Sequence, residues 1–572
     1  MNALRRAQWL DRELGDPCDP PGALSNPERV EELPADRPTS GALRTVLPIE
    51  LHPYYVPRAL GGEFCSFEEV GALMRVVARR DMSTALTQAF SLLGAVVVWL
   101  AGNPCQRRAL AAMVLRGERI SVALAEPESG SDLLAMSTTA LPSGGGYHLL
   151  GDKSLDADFD QLRFVVVYAR TSDRGGPRGF SLFLIDKQAI PGGVHATRQA
   201  DSPGLRGTDL TELHFDTPLP GSALIGGEGS GFEVILKALQ VSRMMCGALS
   251  LGALDTSLET VLRFALQHEI HGALVADLPQ SQKQLCEAWA ELLIGDSLTG
   301  LALRGIHAVS SQSSVHSSVV KYLVPTLTEQ AMQKLSVVYA TRHHIPRSGD
   351  PGVFQKMYRD NMVVSLFDGG AQISLFSLSH QLRSLIVHFQ PTDVQPWAHY
   401  ANPPDELDWT QLSVSAGGED AVLAGFDAGS HALQSWLEQH GGNETSQSLE
   451  ASLGSLARSK DDLFAAVRRL SAGAFAAGHP EGFELARRYC VVEATAAVLT
   501  DWRLNRAAMT TTLADPAVLA VVLHRLTAQL GGVLLLPPPC YRDCFAALLA
   551  RRERDGRCSL YVMPTEGPDP LS

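Results

Sequence analysis

About two-thirds of the way along the chain, one acid stands alone in an apolar run, "VVSLFDGGAQI", residues 363–373. An acid in such company has two readings. Asp-Gly is a common turn dipeptide, because Asp bonds to its own backbone and Gly accepts a left-handed conformation. A carboxylate shielded from water instead has a raised pKa and can take a proton from carbon near neutral pH. Asp368 carries both readings. Arg243 is the second notable charge, because it lies in the apolar helical stretch Gly231–Glu269, where a guanidinium points to an inward partner. The "GSD" at 130–132 offers backbone N–H groups and the Ser131 hydroxyl, a set suited to a phosphate and equally to a surface turn. The His pairs His268/His271 and His343/His344, and the thiols Cys540 and Cys544, come with no clear further ligand, so no metal site is expected.

The chain that must position these groups has 572 residues, 45% hydrophobic and 19% charged, enough for a large core divided among three or four domains. Its formal charge of −14 argues against a nucleic-acid partner, since phosphate binding needs a basic surface. No P-loop is present, and "GGEGSG" (226–231) reads as a turn into a helix. The N-terminus mixes acids with bases and lacks an apolar stretch, so it resembles neither a signal nor a transit peptide, and a cytoplasmic protein is expected. The run "LLGAVVVWLAG" (92–102) is about half the length a bilayer needs and reads as a buried helix.

Period and punctuation then divide the chain. Residues 1–45, rich in Pro, Asp and Glu, read as a flexible extension, and 46–120 as helices. From 121 to 224 short β-branched or aromatic segments ("RFVVVYART", "FSLFLID") alternate with Gly, Pro and Asp turns, which predicts a compact β domain. Helices return over 225–395. A Pro-rich linker follows, and 410–572 reads as a separate helical domain. The fold class is mainly α with a central β domain.

Four stretches in this order resemble the acyl-CoA dehydrogenase family of flavoproteins: "YVPRALGGEF" (55–64), "VALAEPESGSD" (122–132), "GLRGTDLTELHFDTPLPGSALIGGEGSGF" (204–232) and "YRDNMVVSLFDGGAQI" (358–373). The resemblance covers about residues 50–390, and the C-terminal helices resemble the very-long-chain branch. It implies a helical, β-barrel-like and four-helix-bundle subunit, plus the C-terminal helical domain, assembled as a homo-oligomer, a dimer, with FAD at the subunit interface. It also implies α,β-dehydrogenation of an acyl thioester, carried on CoA or on a carrier protein, with an electron-transfer flavoprotein or O2 as acceptor. Asp368 falls on the family's catalytic Glu. Ser242 stands at the alternative base position and cannot serve, and Arg243 falls on a helix Arg that supports the base. FAD contacts carried over by position are Leu124, Ala125, Ser131, Leu155, Ala157, His268, His271, Gln282, Gly370 and Gln372. Ser131, Phe367 and Gly369 are carried over as substrate contacts.

Departures from the pattern bear on the outcome. Asp is one methylene shorter than Glu, roughly 1.5 Å. Ala125 replaces a Thr, Leu155 and Ala157 replace a Trp/Thr pair beside the flavin, and His268 replaces an Arg. Two further readings therefore stand beside dehydrogenation: a related flavin oxidase or monooxygenase of specialised metabolism, of the peptide-epoxyketone type or the nitroalkane-oxidase type, the latter similar in using Asp, and a non-catalytic scaffold of the same fold.

Overall fold

The structure, a computed structural model, describes residues 3–16, 50–555 and 558–559, except 156–158, 174, 191, 199–203, 207, 209, 345–349, 392–406, 507–511 and several positions between 472 and 478. Helix α1 (Ala3–Leu14) opens the chain. Helices α2 (Phe67–Ala78), α3 (Met82–Ala101) and α4 (Pro104–Val114) follow, each started by a side chain that accepts from the first-turn amides: Ser66, Asp81 and Asn103. The N-terminal segment is not all loose, as the composition suggested. Ala7, Leu10 and Leu14 recur at helical spacing and are buried, and the Asp11 carboxylate meets Arg79 and Arg80. That stripe docks α1 on α2; residues 17–45 of the expected extension lie outside the described residues.

The β region is one sheet. Its strands are β1 (Arg119–Ala123), β2 (Thr139–Ser143), β3 (Gly146–Leu155), β4 (Leu162–Arg170), β5 (Phe180–Asp186), β6 (Val194–Arg198), β7 (Thr211–Pro220) and β8 (Leu224–Ile225). The order is β6-β7-β3-β2-β4-β5-β8, with β1 parallel to β4. Its inner face holds a small core around Leu149, Phe183, Leu213 and Phe215. "GGEGSG" is indeed the turn into the next helix, whose N-cap is Ser230.

The bundle is α5 (Gly231–Gln267), α6 (Pro279–Ala308), α7 (Ser313–Tyr339), α8 (Asp350–Val364) and α9 (Ala371–Val387). Gly252 of α5 shows why this helix carries glycines: a Cβ there would lie 2.7 Å from the Arg75 carbonyl oxygen of α2. The same contact is tied by Arg75, which holds Asp255 of α5 through two bonds (2.8 and 3.0 Å) and also reaches Asp296 of α6. Helices α3 and α5 are each long and apolar enough to cross a bilayer, contrary to the sequence estimate, because each continues well beyond its most apolar run. Within those windows 72% and 83% of residues are buried in the fold, the pattern of core helices.

Helices α10 (Ala421–His440), α11 (Glu444–Arg469), α12 (Pro480–Asn505), α13 (Pro516–Gln529) and α14 (Pro538–Asp555) complete the chain. They do not stand apart. One continuous apolar core joins them to the bundle, and Arg525 of α13 pairs with Glu291 of α6 at 2.8 Å. Cys540 and Cys544 are buried in this packing.

Candidate active site

A cavity of about 320 Å³ opens where the N-terminal helices, the sheet and the bundle meet. Phe90 and Leu93 of α3 form one wall; Leu236, Leu239 and Arg243, spaced by three and four along α5, form another. The third wall is the segment after β1, with Leu124, Ala125 and Ser131. The floor is the turn joining α8 to α9, which brings Phe367, Asp368 and Gly369.

The turn reading of Asp368 holds. It is a turn residue, with φ +54°, followed by Gly369 at +80°. Asp tolerates the left-handed region better than most residues. It also lines a mostly apolar cavity, together with Arg243, Ser121, Ser131 and Ser154. The group is half-buried, so it is less withdrawn from water than the apolar run suggested. Arg243 is buried, 6% exposed, and its Nε donates to the main-chain carbonyl of Asp368 at 3.1 Å. Burial lowers the pKa of this guanidinium while the nearby Asp368 raises it. The arginine thus fixes the turn and supplies positive charge beside the acid. A Cβ on Gly369 would lie 2.8 Å from its Nη2, and the φ of +80° there favours glycine in any case.

Lys321 of α7 holds the same turn from below, and nothing in the sequence singled it out. Its side chain is fully buried. The Nζ donates to the last carbonyl of α8, Val364, at 2.6 Å and lies 4.3 Å from the Phe367 ring centre. A helix end leaves its final carbonyls unpaired and carries partial negative charge, which an ammonium meets on both counts. Phe367 in turn sits edge-on to Phe90, 5.9 Å between ring centres.

The wall at 124–138 is held by a buried pair. Lys153 of β3 donates to Glu126 at 2.8 Å and to the Leu124 carbonyl at 3.0 Å. Glu126 also accepts from the amides of Ser137 and Thr138. Burial works against the Glu126 carboxylate, yet Lys153 and those amides hold its pKa at about 2. Burial pushes Lys153 down to about 8, against the pull of Glu126, because the ammonium is the more deeply enclosed partner. With the folded pKa of Glu126 below its ordinary 4.5, its stabilisation is fully present above that value and is lost as pH falls through about 2. Glu126→Gln is therefore expected to cost about 3 kcal/mol at pH 7 by stranding the ammonium. Urea unfolding at a series of pH values should show the gap to the parent protein narrowing below about pH 4.5.

The other carried-over positions divide. Gly370 caps α9 without a side chain, and its carbonyl accepts from Ser374. Leu155 does not face the cavity. Successive strand residues alternate, so Ser154 lines the cavity and Leu155 is buried in the sheet's inner core. Gln372 is exposed at the start of α9. His268 stacks on Phe264, His271 is exposed at φ +53°, and Gln282 donates to the Ala276 carbonyl. None of these four lines the cavity of this chain. Ala157 lies outside the described residues.

Residues 121–217 match the acyl-CoA dehydrogenase middle domain and 229–382 the acyl-CoA dehydrogenase C-terminal domain. Both stretches are thus acyl-CoA dehydrogenase domains, and together they make up less than half of the chain. It is similar to cyclohex-1-ene-1-carbonyl-CoA dehydrogenase of Geobacter metallireducens, 25% identical over 56% of this chain and 83% of that one. Among solved structures, butyryl-CoA dehydrogenase of Megasphaera elsdenii superposes with a TM-score of 0.59 at 17% identity, over 66% of this chain and 96% of that one. PigA with FAD and proline gives 0.59 at 19%, over 67% and 96%. About a third of this chain lies outside either superposition.

Proposed function

We propose that this chain oxidises the acyl group of a small thioester, on CoA or a carrier protein, with Asp368 taking the α proton. One observation carries the reading: a carboxylate at the edge of an apolar cavity, on a turn fixed by a buried arginine. The residues fit FAD in part. Ser131 stands exposed at the mouth with no hydrogen-bond partner among the described residues, beside Gly130 at φ +55°, an arrangement open to a phosphate oxygen. Ala125 and Leu124 offer main chain and apolar surface beside it. Bound FAD would accept the hydride that leaves the β carbon.

The chain's own residues do the rest. Phe90, Leu93, Leu236 and Leu239 exclude water and seat the acyl group. About 320 Å³ lies at the small end for ligand sites, which favours a short acyl group. The shorter acid suits a substrate that sits closer to the turn. Arg243 holds the turn that carries the carboxylate and places a positive charge beside it.

The test is purification followed by turnover of a panel of short and long acyl thioesters, with oxygen excluded and an artificial electron acceptor supplied. A flavin spectrum, FAD released on denaturation, and α,β-unsaturated product from short thioesters are expected. Turnover that requires oxygen and yields an oxygenated product would replace this reading with a monooxygenase. A colourless protein that stays free of FAD after incubation would leave a scaffold.

A further inference from the structure

Far from the cavity, three donors from three helices converge in the core. His316 belongs to α7, Asp420 caps α10, and Glu493 belongs to α12. One ligating atom from each lies within 4.8 Å of the others. His316 is 1% exposed, Asp420 8% and Glu493 0%. Asp420 is well supplied with donors: the amides of Val422 and Leu423, both at 3.0 Å to Oδ1, and the Tyr489 hydroxyl to Oδ2. Glu493 is not. Neither of its carboxylate oxygens has a donor, and His316 Nδ1 is also unpaired.

Two buried carboxylates facing one imidazole need a counter-charge. A proton on Glu493 would cancel one charge and leave its second oxygen bare. A dication would cancel both charges and give the bare oxygens a partner. The His316 Nε2 to Asp420 Oδ1 separation, 3.3 Å, is long for a charge-assisted hydrogen bond. It matches the roughly 3.3 Å between neighbouring ligands of a tetrahedral site with metal–ligand bonds near 2.0 Å.

We propose that His316, Asp420 and Glu493 form a buried structural site for a divalent cation of the zinc class, clamping α10 and α12 to bundle helix α7. One nitrogen and two oxygen donors supply three of the four ligands of a tetrahedral Zn²⁺, and a water would fill the fourth position. The site is independent of the proposed activity. Of its three ligands, His316 shares a helix with Lys321, five residues further on.

The full chain, purified without chelator, should carry about one equivalent of metal. Chelation should lower its Tm by a few degrees and Zn²⁺ should restore it. X-ray absorption of the bound metal should show a first shell of nitrogen and oxygen only. Glu493→Gln and His316→Gln, checked for fold by circular dichroism, should each weaken Zn²⁺ at least tenfold. Four outcomes overturn the site: protein with only trace metal whose Tm ignores Zn²⁺, a first shell containing sulfur, affinity unchanged in both variants, or a stable metal-free Glu493→Gln protein matching the parent. The absorption measurement uses the unaltered chain, so a variant that fails to fold leaves the test intact.

Discussion

Asp368→Asn is expected to lower kcat by at least about a hundredfold, and up to about ten-thousandfold, while leaving Tm and FAD content near the parent values. The substitution is nearly isosteric and removes the negative charge together with the capacity to accept a proton. Asn tolerates a positive φ as well as Asp does, so the turn at φ +54° is kept. The Arg243 bond survives too, since it runs to the main-chain carbonyl rather than to the carboxylate. Steady-state turnover of a short thioester, read beside a melting curve, separates lost chemistry from lost structure. Turnover within a few-fold of the parent would show that another group takes the proton.

The second large effect is expected from Lys321→Met. Methionine fills most of the volume but leaves the Val364 carbonyl without its buried donor, at a cost of about 1–3 kcal/mol. It also removes the cation beneath Phe367, whose ring lines the cavity next to Asp368. The turn then relaxes, and a shift of about 1 Å in a base can cost about a hundredfold in rate. Lys321 touches neither reacting atom in this reading; it acts as a positioning residue. The distinguishing readout is the double variant. In an Asp368→Asn background, Lys321→Met should add little further loss of kcat, though it still lowers Tm, because the group it positions is already gone. Additive losses would assign Lys321 a separate role.

These two residues show what the sequence disclosed. Asp368 was legible because an acid in an apolar run breaks the local pattern, and the Gly pair after it marked the turn that the structure contains. Arg243 was legible for the same reason, though not its bond to a main-chain carbonyl. Lys321 was not: a lone lysine in "SSVVKYLVP" reads as a solvated helix position, and only the arrival of α8 over α7 buries it. Alternating strands and helical runs gave the order of helices, sheet and helices. They did not disclose that α1 docks, because composition averages away three well-spaced apolar residues. Nor did they show that the C-terminal helices share the bundle's core, since a Pro-rich segment interrupts the chain without separating what packs on either side. Leu155 lies in the sheet core while its neighbour Ser154 lines the cavity, because successive strand residues face opposite sides.

The central claim, that Asp368 removes the α proton, is tested most directly by following the label itself. A short acyl thioester fully deuterated at the α carbon is incubated with the FAD-loaded protein, and the product is weighed by mass spectrometry. The account predicts loss of one α deuterium per turnover by the parent protein, and at least about a hundredfold slower loss by Asp368→Asn. Label loss at the parent rate in that variant, or oxidised product that retains both α deuteriums, would contradict it.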